Sequence, residues 1–214
     1  MAETQNTPAG LRQWLFNPFQ FVAGLKALLI GLAIILISAF LGSLNTTHFD
    51  GALDVHIGQP APALFFFAEG LIDWICVSIP LFLLGLIVSR SSLRVVDVFG
   101  TQALARWPYL ITSLVMLPGA NRRFAERLVP GFSQAGSPAP FSSADLLVFA
   151  LAMFLSLLML IWMVALMYRA YAVSCNVKGA KAIITFIVGL VIAEVLSKLA
   201  IIAIGCRVIH PVGP

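Results

Sequence analysis

Ala182-Ile-Ile-Thr-Phe-Ile-Val-Gly189-Leu-Val-Ile-Ala193-Glu194-Val-Leu-Ser197-Lys198-Leu-Ala-Ile-Ile-Ala-Ile-Gly205 is the stretch on which the reading of this chain turns. It exceeds the ~20 apolar residues that carry a helix across a hydrocarbon layer, and only Glu194 and Lys198 interrupt it. These two stand at i and i+4 with the acid nearer the N-terminus, the favourable order for an intrahelical ion pair. Gly189, Ala193 and Ser197 form a small-residue stripe beside them that lets another helix approach closely, so both charges are expected to face a bundle and not lipid. Three further runs have spanning length: Ala23 to Leu44, Glu69 to Val88 and Leu146 to Met167. The whole chain agrees with them. Of 214 residues 60% are hydrophobic and 10% charged, against roughly a quarter charged in soluble domains. No segment left over is long enough for a separate soluble domain.

A fifth segment, Phe99 to Pro118, is broken by Arg106, Trp107 and Pro108, which leaves Tyr109 to Leu117 as a short apolar core; it reads as a kinked span or a re-entrant segment. Charge does not separate the two. Five spans with the N-terminus inside put eight Lys or Arg inside (Arg12, Lys26, Arg90, Arg94, Arg106, Arg169, Lys178, Lys181) and four outside; four spans give nine and three. Both place the loop Asn45 to Ala68, which has Asp50 and Asp54 but no Lys or Arg, on the extracytoplasmic side. The polar leader 1–22 lacks a small-residue cleavage site, so the first run reads as a span and not a signal peptide. Basic residues gather at the ends of apolar runs and form no continuous face for phosphates, which excludes nucleic acid as a partner despite a pI near 9.3. Cys76, Cys175 and Cys206 are dispersed and odd in number, so no disulfide framework is implied. The basic stretch from Asn121 to Val129 reads either as an interfacial helix or as a solvated loop near lipid phosphates. No internal repeat supports an inverted-repeat transporter.

Several short motifs carry a family likeness: Asn17-Pro18-Phe19 before the first span, Gly100-Thr101 leading to Trp107-Pro108, and Leu166-Met167-Tyr168-Arg169-Ala170-Tyr171. Ser174-Cys175-Asn176-Val177-Lys178-Gly179-Ala180-Lys181 and the Glu194 to Lys198 segment extend it. In these the chain resembles bacterial members of the Yip family, the Ypt/Rab-interacting membrane proteins. The resemblance implies an all-α membrane protein, a bundle of five transmembrane helices with a short or kinked third. Its spans are about 23–44, 69–88, 99–118, 146–167 and 182–205, with an extracytoplasmic tail 206–214. It also implies a multi-pass protein of the bacterial cytoplasmic (inner) membrane, N-terminus cytoplasmic and C-terminus extracytoplasmic. The eukaryotic branch binds Rab-type GTPases. Here its Asp-Leu-Tyr-Gly-Pro motif is absent and the leader is short, which argues against GTPase binding.

Three groups of residues are candidates for a site. Under five spans Glu69, Asp73, Asp145 and Glu194 stand with Lys198 in the outer half of the bundle, an intramembrane polar cluster suited to a proton or cation. The alternative pairs Glu194 with Lys198 and leaves the rest as wet helix ends, Asp145 following Ser142-Ser143 as an N-terminal helix residue. In the first loop His48, Asp50, Asp54 and His56 share one parity, so an extended segment turns all four one way, as a divalent metal ion requires. A tight turn at Asp50-Gly51, or a cap over the helix ends, breaks that face. His210, with Cys206 four residues before it, falls on the same side. Tyr168, Arg169, Tyr171, Lys178 and Lys181 mark the inner end of the fourth span, either as an anionic-headgroup or partner site or as an interface anchor. Trp162 and the methionines 153, 159, 163 and 167 read as packing.

Metalloprotease, hydrolase-elbow, phosphate-loop and dinucleotide signatures are all missing, so no enzyme, no catalytic residue and no cofactor beyond a divalent ion is expected. Two functions fit best: a non-enzymatic adaptor or accessory subunit of a membrane assembly, with a membrane-protein partner or self-association, and a small transporter using the acidic cluster. An extracytoplasmic metal-binding protein is the third.

Overall fold

A computed structural model describes residues 10–128 and 142–209. Helix α1 (Leu11–Phe16) and a 3-10 turn at Pro18–Gln20 lead into α2 (Gly24–Asn45). A two-stranded antiparallel ladder follows, β1 (Thr47–His48) on β2 (His56–Ile57), with His48 opposite His56. Then come α3 (Ala63–Val88), α4 (Val95–Leu104), α5 (Pro108–Val115), α6 (Gly119–Leu128), α7 (Ser143–Ser174) and α8 (Gly179–Ile209). His210 lies outside the described residues.

Among the described residues four helices, α2, α3, α7 and α8, are long and apolar enough to cross a membrane. Their side chains are arranged as in lipid. Leu64 and Ile87 of α3 are 78% and 77% exposed, while Asp73 of the same helix is 0% exposed. Apolar surface outside and ionisable groups within is the pattern a bilayer selects, since a charge facing hydrocarbon costs roughly 3 kcal/mol or more.

The third segment takes a particular form. Arg106 N–H donates to the Ala103 carbonyl and Trp107 N–H to that of Leu104, a tight turn, and Pro108 then opens α5 at the helix position where its missing N–H costs nothing. Both halves follow α2 in the same direction. A Cβ on Gly100 would stand 2.6 Å from the Gly24 carbonyl oxygen, and one on Gly31 2.4 Å from the backbone at Ala103 and Leu104. Further along, Ser113 Oγ donates to the Ser38 carbonyl at 3.1 Å. Against this pair α7 runs antiparallel: Ser174 Oγ reaches the Asp97 carbonyl at 3.3 Å, Gln102 Nε2 that of Met167 at 3.0 Å, and Phe124 stacks on Phe149. α8 is antiparallel to α3, Gly189 lying against Leu81 and Gly205 against Phe65. Broken backbone of this kind is tolerated because it is enclosed by protein.

Among the boundaries that differ from the sequence reading, two helix starts bear on the site. α3 begins at Ala63 and not at Glu69, which carries Glu69 and Asp73 from the mouth of the bundle to its interior. α7 begins at Ser143 because Ser142 closes a capping box, its Oγ accepting from Asp145 N–H while Asp145 accepts from Ser142 N–H. Residues 121–128 of the basic stretch are helical in α6, with Arg122 paired to Glu126 at 3.2 Å, and Val129 lies outside the described residues.

Candidate functional site

Residues 49–55, between the two strands, fold back into the bundle. Phe49 packs on Tyr109 of α5 with ring centroids 4.5 Å apart, and Ala52 is fully buried. Backbone N–H groups there need partners, and α8 supplies them: Ser197 Oγ accepts from Ala52 at 3.1 Å and Glu194 Oε2 from Leu53 at 2.9 Å. Glu194 is thereby turned away from Lys198, whose ammonium lies on Asp54 and 3.7 Å from Asp50. The intrahelical Glu194–Lys198 pair gives way to contacts between α8 and this re-entrant segment.

His56 completes the outer group, its Nδ1 3.2 Å from Asp50 and 4.0 Å from Asp54. The hydrogen bond to Asp50 outweighs burial and raises the His56 pKa. Burial pushes Asp50 upward, but the His56 hydrogen bond and the charges of His56 and Lys198 overcome it and leave Asp50 lowered. Ligand atoms of Asp50, Asp54 and His56 lie within 4.8 Å of one another, close enough for one metal ion. His48 is not among them. Its Nδ1 meets Glu69 Oε1 at 2.8 Å, its Nε2 the Gln59 carbonyl at 2.8 Å, and its ring stacks on Phe66. The expected single face of four metal ligands is therefore divided, because the ladder and the re-entrant turn send His48 inward.

The His48 geometry fixes a proton. A carbonyl only accepts, so Nε2 carries hydrogen. Nδ1 then either donates to a Glu69 carboxylate as imidazolium or accepts from a protonated Glu69.

One turn beyond Glu69, Asp73 is completely buried, and neither of its carboxylate oxygens has a hydrogen-bond partner. Arg106, 2% exposed, is the main opposite charge acting on it, with Glu69, Asp50 and Glu194 adding like charge. The Nε and Nη2 of Arg106, the Tyr109 hydroxyl and Glu69 Oε2 are also buried without partners. Ser38, Gly70, Arg106 and Tyr109 border a small cavity, on the order of one water molecule in size. At the other end a groove of about 370 Å³ is lined by His48, Asp50, His56, Glu69, Phe65 and Ile201. Ionisable groups thus run from that groove through His48 and Glu69 to Asp73 and Arg106.

Compared with protein-family models, curated proteins and solved structures, the chain matches none. Its function has to be inferred from the geometry of its own residues.

Of the five residues expected in one intramembrane cluster, Glu69 and Asp73 share the interior file, Glu194 and Lys198 hold the re-entrant segment, and Asp145 stands apart. Asp145 caps α7 and pairs with Arg123 of α6. Arg106, counted in the sequence as a mark of the cytoplasmic face, belongs to the bundle interior. Its removal lowers the inside count of both charge models equally, so that tie stands. The signal for it was its position: a lone arginine with apolar sequence before and after. Tyr109 was also missed, since nothing in an apolar run distinguishes a lining residue from a lipid-facing one. The inner-end group separates as well. Tyr171 is buried with its hydroxyl 2.8 Å from Thr185 Oγ1, Tyr168 packs edge-on to Phe186, and Arg169, Lys178 and Lys181 are exposed.

Proposed function

We propose that this chain is a multi-pass membrane protein that moves a proton through its bundle, entering at the groove and passing by His48 and Glu69 to Asp73. The observation that carries this reading is Asp73, buried in an apolar bundle with both oxygens unpartnered and Arg106 as its counter-charge. Such a carboxylate is costly and typifies proton and ion pathways. Arg106 also selects the cargo. A guanidinium whose charge acts on the carboxylate disfavours a metal cation there, whereas a proton can bind Asp73 and leave under that charge. The reading places the protein in the bacterial cytoplasmic membrane, N-terminus inside and ladder outside, with the α4–α5 segment as a broken fifth span and no enzymatic step.

The test is proton flux into liposomes holding the purified protein and a pH-sensitive dye. Wild type is expected to dissipate an imposed pH gradient faster than empty liposomes, and Asp73→Asn to abolish the difference. Equal rates for wild type and empty liposomes, or an unimpaired Asp73→Asn variant, would sink the reading.

A second reading, the Yip-like accessory subunit, has one observation in its favour. α7 is the least enclosed of the four long helices, with 17% of its apolar window buried, and Phe154, Leu158 and Ile161 stand open for a partner helix or a second copy. Affinity purification in mild detergent tests it: a stoichiometric membrane partner supports it, and a lone monomer removes it.

A further inference from the structure

We infer that the α1 end of the bundle holds an anionic glycerophospholipid, its phosphate between Arg12 and Arg169 and one acyl chain along α7. Helix α1, six residues long, is too short to persist alone. It is held on α7 by Trp162, whose Nε1 donates to the Leu15 carbonyl at 3.2 Å and whose ring meets that of Phe16 at 5.9 Å. Docking there creates a recess of about 550 Å³ walled by Arg12, Gln13, Asn17 and Arg169. Phe16 and Ala165 border both this recess and a second, apolar one of about 380 Å³ bounded also by Leu15, Leu158, Ile161 and Trp162.

The two recesses match the two halves of a phospholipid. Among the described residues neither Arg12 nor Arg169 has an ion-pair or hydrogen-bond partner, and both are exposed. Two guanidinium forks on one recess suit a phosphate diester, which each can bind through paired N–H donors. Asn17 Oδ1 is buried without a partner in the same wall, an acceptor for a headgroup hydroxyl. From Arg169 to Leu158 the floor follows α7 for roughly 16 Å at 1.5 Å per residue, about the depth of one leaflet's hydrocarbon. Charge at one end, apolar surface over that length and walls shared at Phe16 and Ala165 commit the site to a lipid of the adjoining leaflet and not to a free anion. Lys178 and Lys181, the other basic residues expected at this face, line neither recess.

Native mass spectrometry of delipidated protein in detergent, titrated with phosphatidylglycerol or phosphatidylcholine, tests the site. Wild type is expected to retain one phosphatidylglycerol about tenfold more tightly than phosphatidylcholine, with no displacement by millimolar inorganic phosphate. R12Q/R169Q should lower phosphatidylglycerol binding to the phosphatidylcholine level, and Ala165→Trp, which puts bulk at the wall shared by the two recesses without changing charge, should also weaken phosphatidylglycerol binding. Equal retention of the two lipids by wild type, displacement by inorganic phosphate, or wild-type binding by both variants would overturn the inference. The first two outcomes are measured on wild type alone, so they decide the matter even where a substituted chain misfolds.

Discussion

Lys198 pairs with Asp54 of the re-entrant segment and not with Glu194 one turn before it on its own helix. The pair joins residues far apart in sequence, so its loss should be felt as loosening of the segment and not of α8. Lys198→Met and Asp54→Asn are each expected to lower thermal stability modestly, and the double variant to be less unstable than the sum, with a coupling of up to about 1 kcal/mol. Glu194→Gln should be milder, because an amide oxygen still accepts from Leu53. Unfolding of the four variants in detergent checks this.

The same ammonium occupies the place a metal ion would take between Asp50 and Asp54. Lys198→Ala should therefore bind Zn²⁺ at least about tenfold more tightly than wild type, and His56→Ala in that background should abolish the gain. Calorimetric titration decides it; equal affinity in wild type and Lys198→Ala would show that the lysine does not compete with metal.

The outer group gives a pH dependence with a definite sign. His56 is raised from its ordinary 6.5 by Asp50, so its contribution is complete below 6.5 and is lost as pH rises through the raised value. Asp50 is lowered from 3.8, so its contribution is present above 3.8 and is lost as pH falls through the lowered value. Stability from this pair is greatest between those limits and declines on the alkaline side. Melting temperature measured against pH should show that decline in wild type and a flatter profile in His56→Gln.

How much of this could be read from sequence depends on what each residue type reports. The four long apolar runs and the break at Arg106-Trp107-Pro108 were legible because hydropathy and proline act locally. Depth and facing were not. Glu69 and Asp73 look like residues at a helix mouth until the start of α3 at Ala63 is known, and Asp145 looks like their neighbour until its bond to Arg123 is seen. Arg106 illustrates the same limit: a positive residue inside an apolar run reads as a face marker unless a buried carboxylate waits for it in space. The re-entrant segment was least legible, since its hydrogen bonds come from Ser197 and Glu194 near the other end of the chain. The Yip resemblance rests on short motifs that no comparison extends.

Asp73 and Arg106 should fail asymmetrically. Arg106→Met removes the opposite charge that acts on a buried acid and is expected to lower stability. Asp73→Leu combined with Arg106→Met removes both charges and should recover much of that loss. Denaturant unfolding of the single and double variants measures the difference.

Gly31 and Gly100 let α2 and α4 touch through backbone. A methyl group at Gly31 would fall 2.4 Å from Ala103 and Leu104, so Gly31→Ala must push the helices apart and should cost roughly 1–3 kcal/mol. Gly10→Ala, with open space around it, is the neutral control, and melting temperature compares the two.

The re-entrant segment also sets an order of assembly. Its anchors on α8 are synthesised some 140 residues after it, so throughout translation Ala52 and Leu53 lack the acceptors that hold them and Asp54 lacks its lysine. The ladder loop can close only after the last helix has inserted. A chain arrested before α8 would therefore display an open loop whose Asp54 lacks its lysine, a chemical flag by which an unfinished molecule differs from a finished one.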